Sequence, residues 1–329
     1  MSAAEVKPRQ ARSALAPGTD GTSHPPLVFI GGTGRSGTHV LASLLGRHSE
    51  LADIPIEARF HCNKLGMGAL LGGRVTLEAF VEKLRGFWWH RVRVDGQPRG
   101  LYNLMRRRDF DRAVEGFLGD YHDDPTAACR QLFLALLMPV AVAAGKPGLV
   151  EMSSHNVREA QALRRLFPGA RFVHVVRDGR DSASSVTSKT WGPATITRGI
   201  DWWAERLRLI ESGVRGQEDG AEYLLPADRF RIVVLDDLVA GDRTAGYARL
   251  LDFLELEDEE PMREFFDLQM SPEAAHSGRW REGLGVLGRA RVRRKYERTL
   301  RALEAEGNHV APPLLDAYAR STGGRPLGG

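Results

Sequence analysis

Leu27-Val28-Phe29-Ile30-Gly31-Gly32-Thr33-Gly34-Arg35-Ser36-Gly37-Thr38-His39-Val40-Leu41-Ala42-Ser43-Leu44-Leu45 is the stretch that decides the fold. Four apolar residues of strand type run into a glycine cluster, and the apolar positions after it recur with helical spacing. The reading is strand, loop, helix. A glycine-rich loop in that place turns successive backbone N–H groups toward an anion, and the helix start adds positive potential. Thr33, Gly34, Arg35, Ser36, Gly37, Thr38 and His39 are therefore expected to hold a phosphate-like group. Against the triphosphate pattern G-x-x-x-x-G-K-[ST], Gly32 and Gly37 fit, but Thr38 replaces the lysine and His39 the magnesium-binding hydroxyl. The loop suits a metal-free anion held by Arg35 and hydroxyls better than a magnesium triphosphate.

Working outward, Asn156 to Phe167 places Val157, Ala160, Leu163 and Leu166 on one helical face, and Pro168-Gly169 ends it before the apolar run Phe172 to Val176. Ile232 to Leu235 reads as a further buried strand, followed by a helix over Tyr247 to Leu254. The alternation predicts an α/β fold of three layers, α/β/α, with a mostly parallel central sheet. Residues 66–145 turn helical, and Arg85 to Arg108 reads as an Arg-rich insertion or cap over the sheet edge. Residues 1–26 lack an apolar segment of signal-peptide length and are expected to be a disordered leader, with one domain over 27–329. Arg289 to Leu303 is expected to be a solvated terminal helix.

With 42% hydrophobic and 27% charged residues, the 329-residue chain has an ordinary globular composition. A formal net charge of +4 gives little support to a nucleic-acid partner. Cys62 and Cys129 are too few for a disulfide framework or a cysteine-based zinc site, so no metal is expected and a reducing compartment fits. The most apolar later stretch, Leu132 to Ala144, reads as too short to span a bilayer and contains Pro139. A cytoplasmic protein without a membrane partner is expected; oligomeric state is not legible.

A second anion motif is Val175-Val176-Arg177-Asp178-Gly179-Arg180-Asp181-Ser182-Ala183-Ser184-Ser185. Arg177, at a strand end, offers a bidentate fork to a phosphate, and Ser185, eight residues later, adds a hydroxyl two helical turns on. The first loop, this spacing, and the segments Arg165-Leu166-Phe167-Pro168 and Leu235-Asp236-Asp237-Leu238 together resemble the sulfotransferases that use 3′-phosphoadenosine-5′-phosphosulfate (PAPS), over roughly residues 27–284. The serine-bearing Arg-Asp-Gly-Arg motif is nearest the tyrosylprotein-like branch and its bacterial relatives.

The resemblance implies a P-loop nucleoside-triphosphate-hydrolase-like fold, PAPS as donor and adenosine 3′,5′-bisphosphate as product. It implies the first loop at the 5′-phosphosulfate, with Arg35 also catalytic, and Arg177 and Ser185 at the 3′-phosphate. In Ser277-Gly278-Arg279-Trp280, Arg279 is expected near phosphate and Trp280 beside the adenosine. Glu57-Ala58-Arg59 resembles the Glu-x-Arg of the tyrosylprotein-like branch, which makes Glu57 the base and places Arg59 and His61 toward the acceptor, with His61 and His39 as rival bases. One departure stands out: Met152, in Glu151-Met152-Ser153-Ser154, occupies the position of a common family lysine. A small metabolite, a glycan or a peptide tyrosine remains open as acceptor. Trp88, Trp89, Trp202 and Trp203 read equally as an aromatic pocket or as core, and Arg91, Arg93, Arg99 and Arg106 to Arg108 as a lid for an acidic acceptor or a solvated face. The alternatives are a P-loop small-molecule kinase and a catalytically silent nucleotide-binding protein.

Overall fold

In the computed structural model, residues 24–92, 96–218 and 221–322 are described. The expected leader falls almost wholly outside the described residues, as does Arg93. The strands are β1 (Leu27–Gly31), β2 (Leu51–Asp53), β3 (Gly148–Glu151), β4 (Arg171–Val176), a hairpin of β5 (Arg215–Glu218) and β6 (Ala221–Leu224), and β7 (Phe230–Val234). Five form one sheet in the order β2-β3-β1-β4-β7, and every neighbouring pair is parallel. All five carboxyl ends therefore open on the same edge, where ligands bind in open α/β sheets. This is the mostly parallel, P-loop-like α/β architecture that the sequence leads one to expect.

The helices are α1 (Thr38–Leu45), α2 (Met67–Leu71), α3 (Leu77–Lys83), α4 (Arg107–Asp120), α5 (Pro125–Ala144), α6 (Ala160–Leu166), α7 (Gly179–Thr187), α8 (Ile196–Val214), α9 (Leu235–Val239), α10 (Arg243–Leu254), α11 (Glu260–Gln269), α12 (Val286–Ala305) and α13 (Ala311–Ser321). Strand alternation sorts the core into layers. Leu27 and Phe29 face a cluster with α5 and α6, in which Phe29 stacks on Phe172 at 5.4 Å. Val28 and Ile30 face the opposite cluster with α1, α10 and α11. Each buried aliphatic side chain contributes roughly 1.5–3 kcal/mol by leaving water. A third cluster, beside β4 and β7, joins α8, α12 and α13.

Three expectations are corrected. The helix over Arg289 to Leu303 is not a solvated appendage, because α12 buries Val292, Tyr296, Leu300 and Leu303, with Tyr296 against Trp203. The apolar stretch Leu132 to Ala144 belongs to a longer helix, since Asp124 caps α5 from its side chain and Pro125 starts it. By length and composition Pro125–Ala143 is long and apolar enough to cross a membrane, yet one face, Ala128, Leu132, Phe133, Leu136 and Leu137, is packed into the first core cluster. The helix expected to begin at Asn156 starts at Ala160, because Asn156 turns inward to hydrogen-bond Glu151.

Candidate active site

The loops at the carboxyl ends of all five parallel strands line one cleft of about 990 Å³. From β1 come Gly32 to Arg35 and Gly37 to Val40; from β2, Glu57 and Arg59; from β3, Ser154 and His155; from β4, Arg177 and, on α7, Ser185; from β7, Leu235. The loop after β1 has a geometry suited to an anion. Gly34 and Gly37 take φ of 83° and 96°, a region open to glycine. Gly37 also sits where a Cβ would lie 2.7 Å from Leu235 Cδ2. Arg35 itself is left-handed at φ 62°. Helix α1 starts at Thr38 with no side-chain cap and no acid in its first turn, so its free N–H groups and dipole remain available. Ser36 is fully buried, and its Oγ has no hydrogen-bond partner within the protein. A buried donor left in that state fits a loop that closes around an anion.

The two motifs meet. Arg35 Nε donates to Ser185 Oγ at 3.0 Å, so the two candidate anion-binding segments share one wall of the cleft. Arg177 is 9% exposed, and its Nη2 donates to the carbonyls of Ala275 at 2.5 Å and His276 at 3.1 Å, while its Nε has no partner within the protein. Arg177 thus fastens the segment before Ser277 as well as facing the cleft. The next charges in the motif work inward. Arg180 pairs with Asp178 and lies among Trp280, Tyr296 and Tyr318, with its Cζ 4.8–4.9 Å from the ring centroids. Asp181 accepts from the amides of Gly278 and Trp280. The carboxyl of Asp236 accepts the Asp178 N–H at 2.7 Å, and burial together with the neighbouring Asp178 charge pushes it up to about 7.

On the opposite wall Glu57 pairs with Arg59 and, at 3.4 Å, with Arg91, whose Nη1 also donates to the Glu57 carbonyl at 2.6 Å. A buried network fixes this loop from below. Glu151, 1% exposed, accepts from Ala58 N at 3.1 Å, Ser153 Oγ at 2.7 Å and Asn156 Nδ2 at 2.6 Å, and contacts His61 Nε2 at 3.1 Å. Burial would raise its pKa, but His61 and the hydroxyl and amide donors hold Glu151 down to about 2.

Several candidate residues lie elsewhere. His61 is fully enclosed in that network and does not reach the cleft. Arg279 is an exposed residue pairing with Glu282 at 3.5 Å, away from the cleft lining, and Trp280 is buried on Arg180. Met152 packs in the second core cluster, so a charge there would point into the sheet's apolar layer. Trp88, Trp89 and Trp203 are core, while Trp191 and Trp202 line the cleft. Arg106 to Arg108 are exposed and off the cleft; Arg91 and Arg99 line it. The structure adds residues the sequence reading did not single out: His155, Arg158, Ser188, Lys189 and Arg206. Burial, then Arg59 and Arg158, push His155 down to about 4, which keeps it neutral at physiological pH.

A family model described as the sulfotransferase family matches residues 26–260. Among solved structures, the chain is similar to the sulfotransferase domain of the olefin synthase of Synechococcus PCC 7002, at 18% identity and a TM-score of 0.46, covering 83% of this chain and 94% of that one. It is also similar to sulfotransferase STF1 of Mycobacterium tuberculosis H37Rv, at 16% identity and a TM-score of 0.39, covering 83% and 77%. A third similar structure is STF9 of Mycobacterium avium, at 16% identity and a TM-score of 0.38, covering 84% and 76%. No curated protein matches the chain. The family model spans most of the chain, including both anion loops, and on that ground the chain belongs to the sulfotransferase family, enzymes that transfer sulfuryl groups.

Proposed function

We propose that the chain transfers the sulfuryl group of PAPS to a hydroxyl of an acceptor, with Glu57 as the base. The observation that carries this is the 3.0 Å contact of Arg35 with Ser185, which brings the two phosphate motifs to one cleft. The donor supplies an activated sulfuryl group and two phosphates. Residues 33–39 with the start of α1 are suited to hold the phosphosulfate, and Arg177 with Ser185 the 3′-phosphate. Alignment of the acceptor oxygen with sulfur converts a bimolecular encounter into a positioned one. The oxygen forms a bond to sulfur as the bond from sulfur to the bridging phosphate oxygen breaks. That electron pair stays on the phosphate of adenosine 3′,5′-bisphosphate, and the acceptor proton passes to Glu57.

Charge that develops on the leaving phosphate falls to Arg35 and the amides of the first loop, because Met152 lies in the core. Arg59 and Arg91 pair with the Glu57 carboxylate and hold it at the cleft between them. The test is release of adenosine 3′,5′-bisphosphate from PAPS in the presence of a panel of phenols, sugars and tyrosine peptides. Transfer to at least one hydroxyl, lost in Glu57→Gln, is the expected result; transfer that Glu57→Gln leaves intact would remove Glu57 from the mechanism.

A further inference from the structure

Five arginines line the cleft apart from Arg35 and Arg177: Arg59, Arg91, Arg99, Arg158 and Arg206. Glu57 is the sole carboxylate among the described residues that line it, and it is already engaged by Arg59 and Arg91. Arg158 meets a carboxylate, Glu159, only at 3.9 Å. Arg206 lies with its Cζ 4.2 Å from the centre of the Trp202 ring, and its Nε, like that of Arg59, is enclosed without a hydrogen-bond partner.

These cations repel one another within the free protein. Burial lowers the pKa of Arg206, the adjacent Glu205 partly offsets this, and Arg158 and Arg59 lower it further; the same two arginines act on His155. The arginines on α4 behave differently: Arg107, Arg108 and Arg112 are exposed and pair with Asp111 or Asp109. Unbalanced positive charge that is half-buried in a cleft costs stability unless an anion visits it. Under the donor assignment above, the two phosphate groups of PAPS are already matched by Arg35 with the first loop and by Arg177 with Ser185, which leaves this excess for the second substrate. The volume lies at the upper end of the roughly 300–1,000 Å³ of small-molecule sites, which suits two ligands side by side.

We propose that the acceptor carries an anionic group, a carboxylate, sulfate or phosphate, close to the hydroxyl that is sulfated, and that Arg158 and Arg206, with Arg59, bind it. This rests on the sulfotransferase reading of the cleft. Arg158 and Arg206 are then specificity residues, which select acidic acceptors over neutral ones of the same shape, and Trp191 and Trp202 supply the apolar wall beside them.

The test uses the full-length protein saturated with adenosine 3′,5′-bisphosphate and titrated with two matched pairs: 4-hydroxyphenylacetate against 4-hydroxyphenylacetamide, and a Glu-Tyr-Glu peptide against Gln-Tyr-Gln. The first titration, with the bisphosphate alone, reports on the donor reading independently of the acceptor. In at least one pair the acid should bind about tenfold or more tightly than its amide at low salt, and Arg158→Gln with Arg206→Gln should abolish that preference while bisphosphate affinity holds. Equal binding within both pairs, no binding by either acid, or a preference that survives the double substitution would overturn the proposal.

Discussion

Arg35 and Ser185, 150 positions apart in the chain, are joined by a 3.0 Å hydrogen bond from Nε to Oγ, so the loop after β1 and helix α7 after β4 are linked at the mouth of the cleft. In the free protein each polar group is a partner of the other; under the proposed donor assignment, both would turn to phosphate oxygens. Ser185→Ala should therefore weaken binding of adenosine 3′,5′-bisphosphate about tenfold to a hundredfold, the worth of one charge-assisted hydrogen bond, roughly 1.5–3 kcal/mol. The melting temperature should move little, because the bond is exposed. Calorimetry beside a melting curve checks both.

Arg177 carries two duties, since its guanidinium also holds the carbonyls of Ala275 and His276. From sequence, Arg177→Ala is expected to lower donor affinity and leave the fold intact. With the structure in hand, the same change should also lower the melting temperature by a few degrees, because a largely buried arginine and two carbonyls lose their bonds. Thermal denaturation without ligand separates this cost from the loss of affinity.

Glu151 acts on Glu57 through the backbone, accepting from the amide of the adjacent Ala58 as well as from Ser153 and Asn156. Removing one partner of a buried charged network costs about 3–5 kcal/mol. Glu151→Ala should lower the melting point substantially. In the milder Glu151→Gln, turnover should fall more than bisphosphate affinity, as the catalytic loop loosens while the anion loops stay. A parallel fall in both would mean that the network supports the whole sheet edge and not this loop.

The pH dependence of stability has a sign set by Asp236. Folded, its carboxyl keeps a proton up to about 7; unfolded, it releases one near 3.8. Between these values the folded state holds the extra proton, so this group stabilises the fold at low pH and the contribution is lost as pH rises through about 7. Asp236→Asn retains an oxygen for the Asp178 N–H. It should raise the melting temperature more at pH 8.5 than at pH 5, because the linked loss of stability builds up between 3.8 and about 7.

What the sequence made legible follows from signal strength. The loop after β1 announces itself through glycine spacing, and β1, β4 and β7 through unbroken apolar runs; each is an element of the structure within a residue or two at its ends. Strands β2 and β3, of three and four residues, carry too little pattern to be read, yet their loops deliver Glu57 and His155. Glu57 was accessible only through the short Glu-x-Arg resemblance. Nothing local marks Arg158 or Arg206 as cleft residues, because only the packing of α6 and α8 beside the sheet turns them toward one space. His61 misleads in the opposite way: its neighbour Arg59 faces the cleft, but Glu151 and Asn156 draw the imidazole inside.

Calorimetric titration with adenosine 3′,5′-bisphosphate, with 5′-AMP and magnesium ATP run beside it, decides whether one cleft reads both phosphates of a PAPS-type donor. Clear preference for the bisphosphate is expected, because under the donor assignment 5′-AMP would leave Arg177 and Ser185 without an anion, and Thr38 stands at the lysine position of the triphosphate pattern and His39 at that of its metal-binding hydroxyl. Preference for magnesium ATP, or equal binding of 5′-AMP and the bisphosphate, would contradict it.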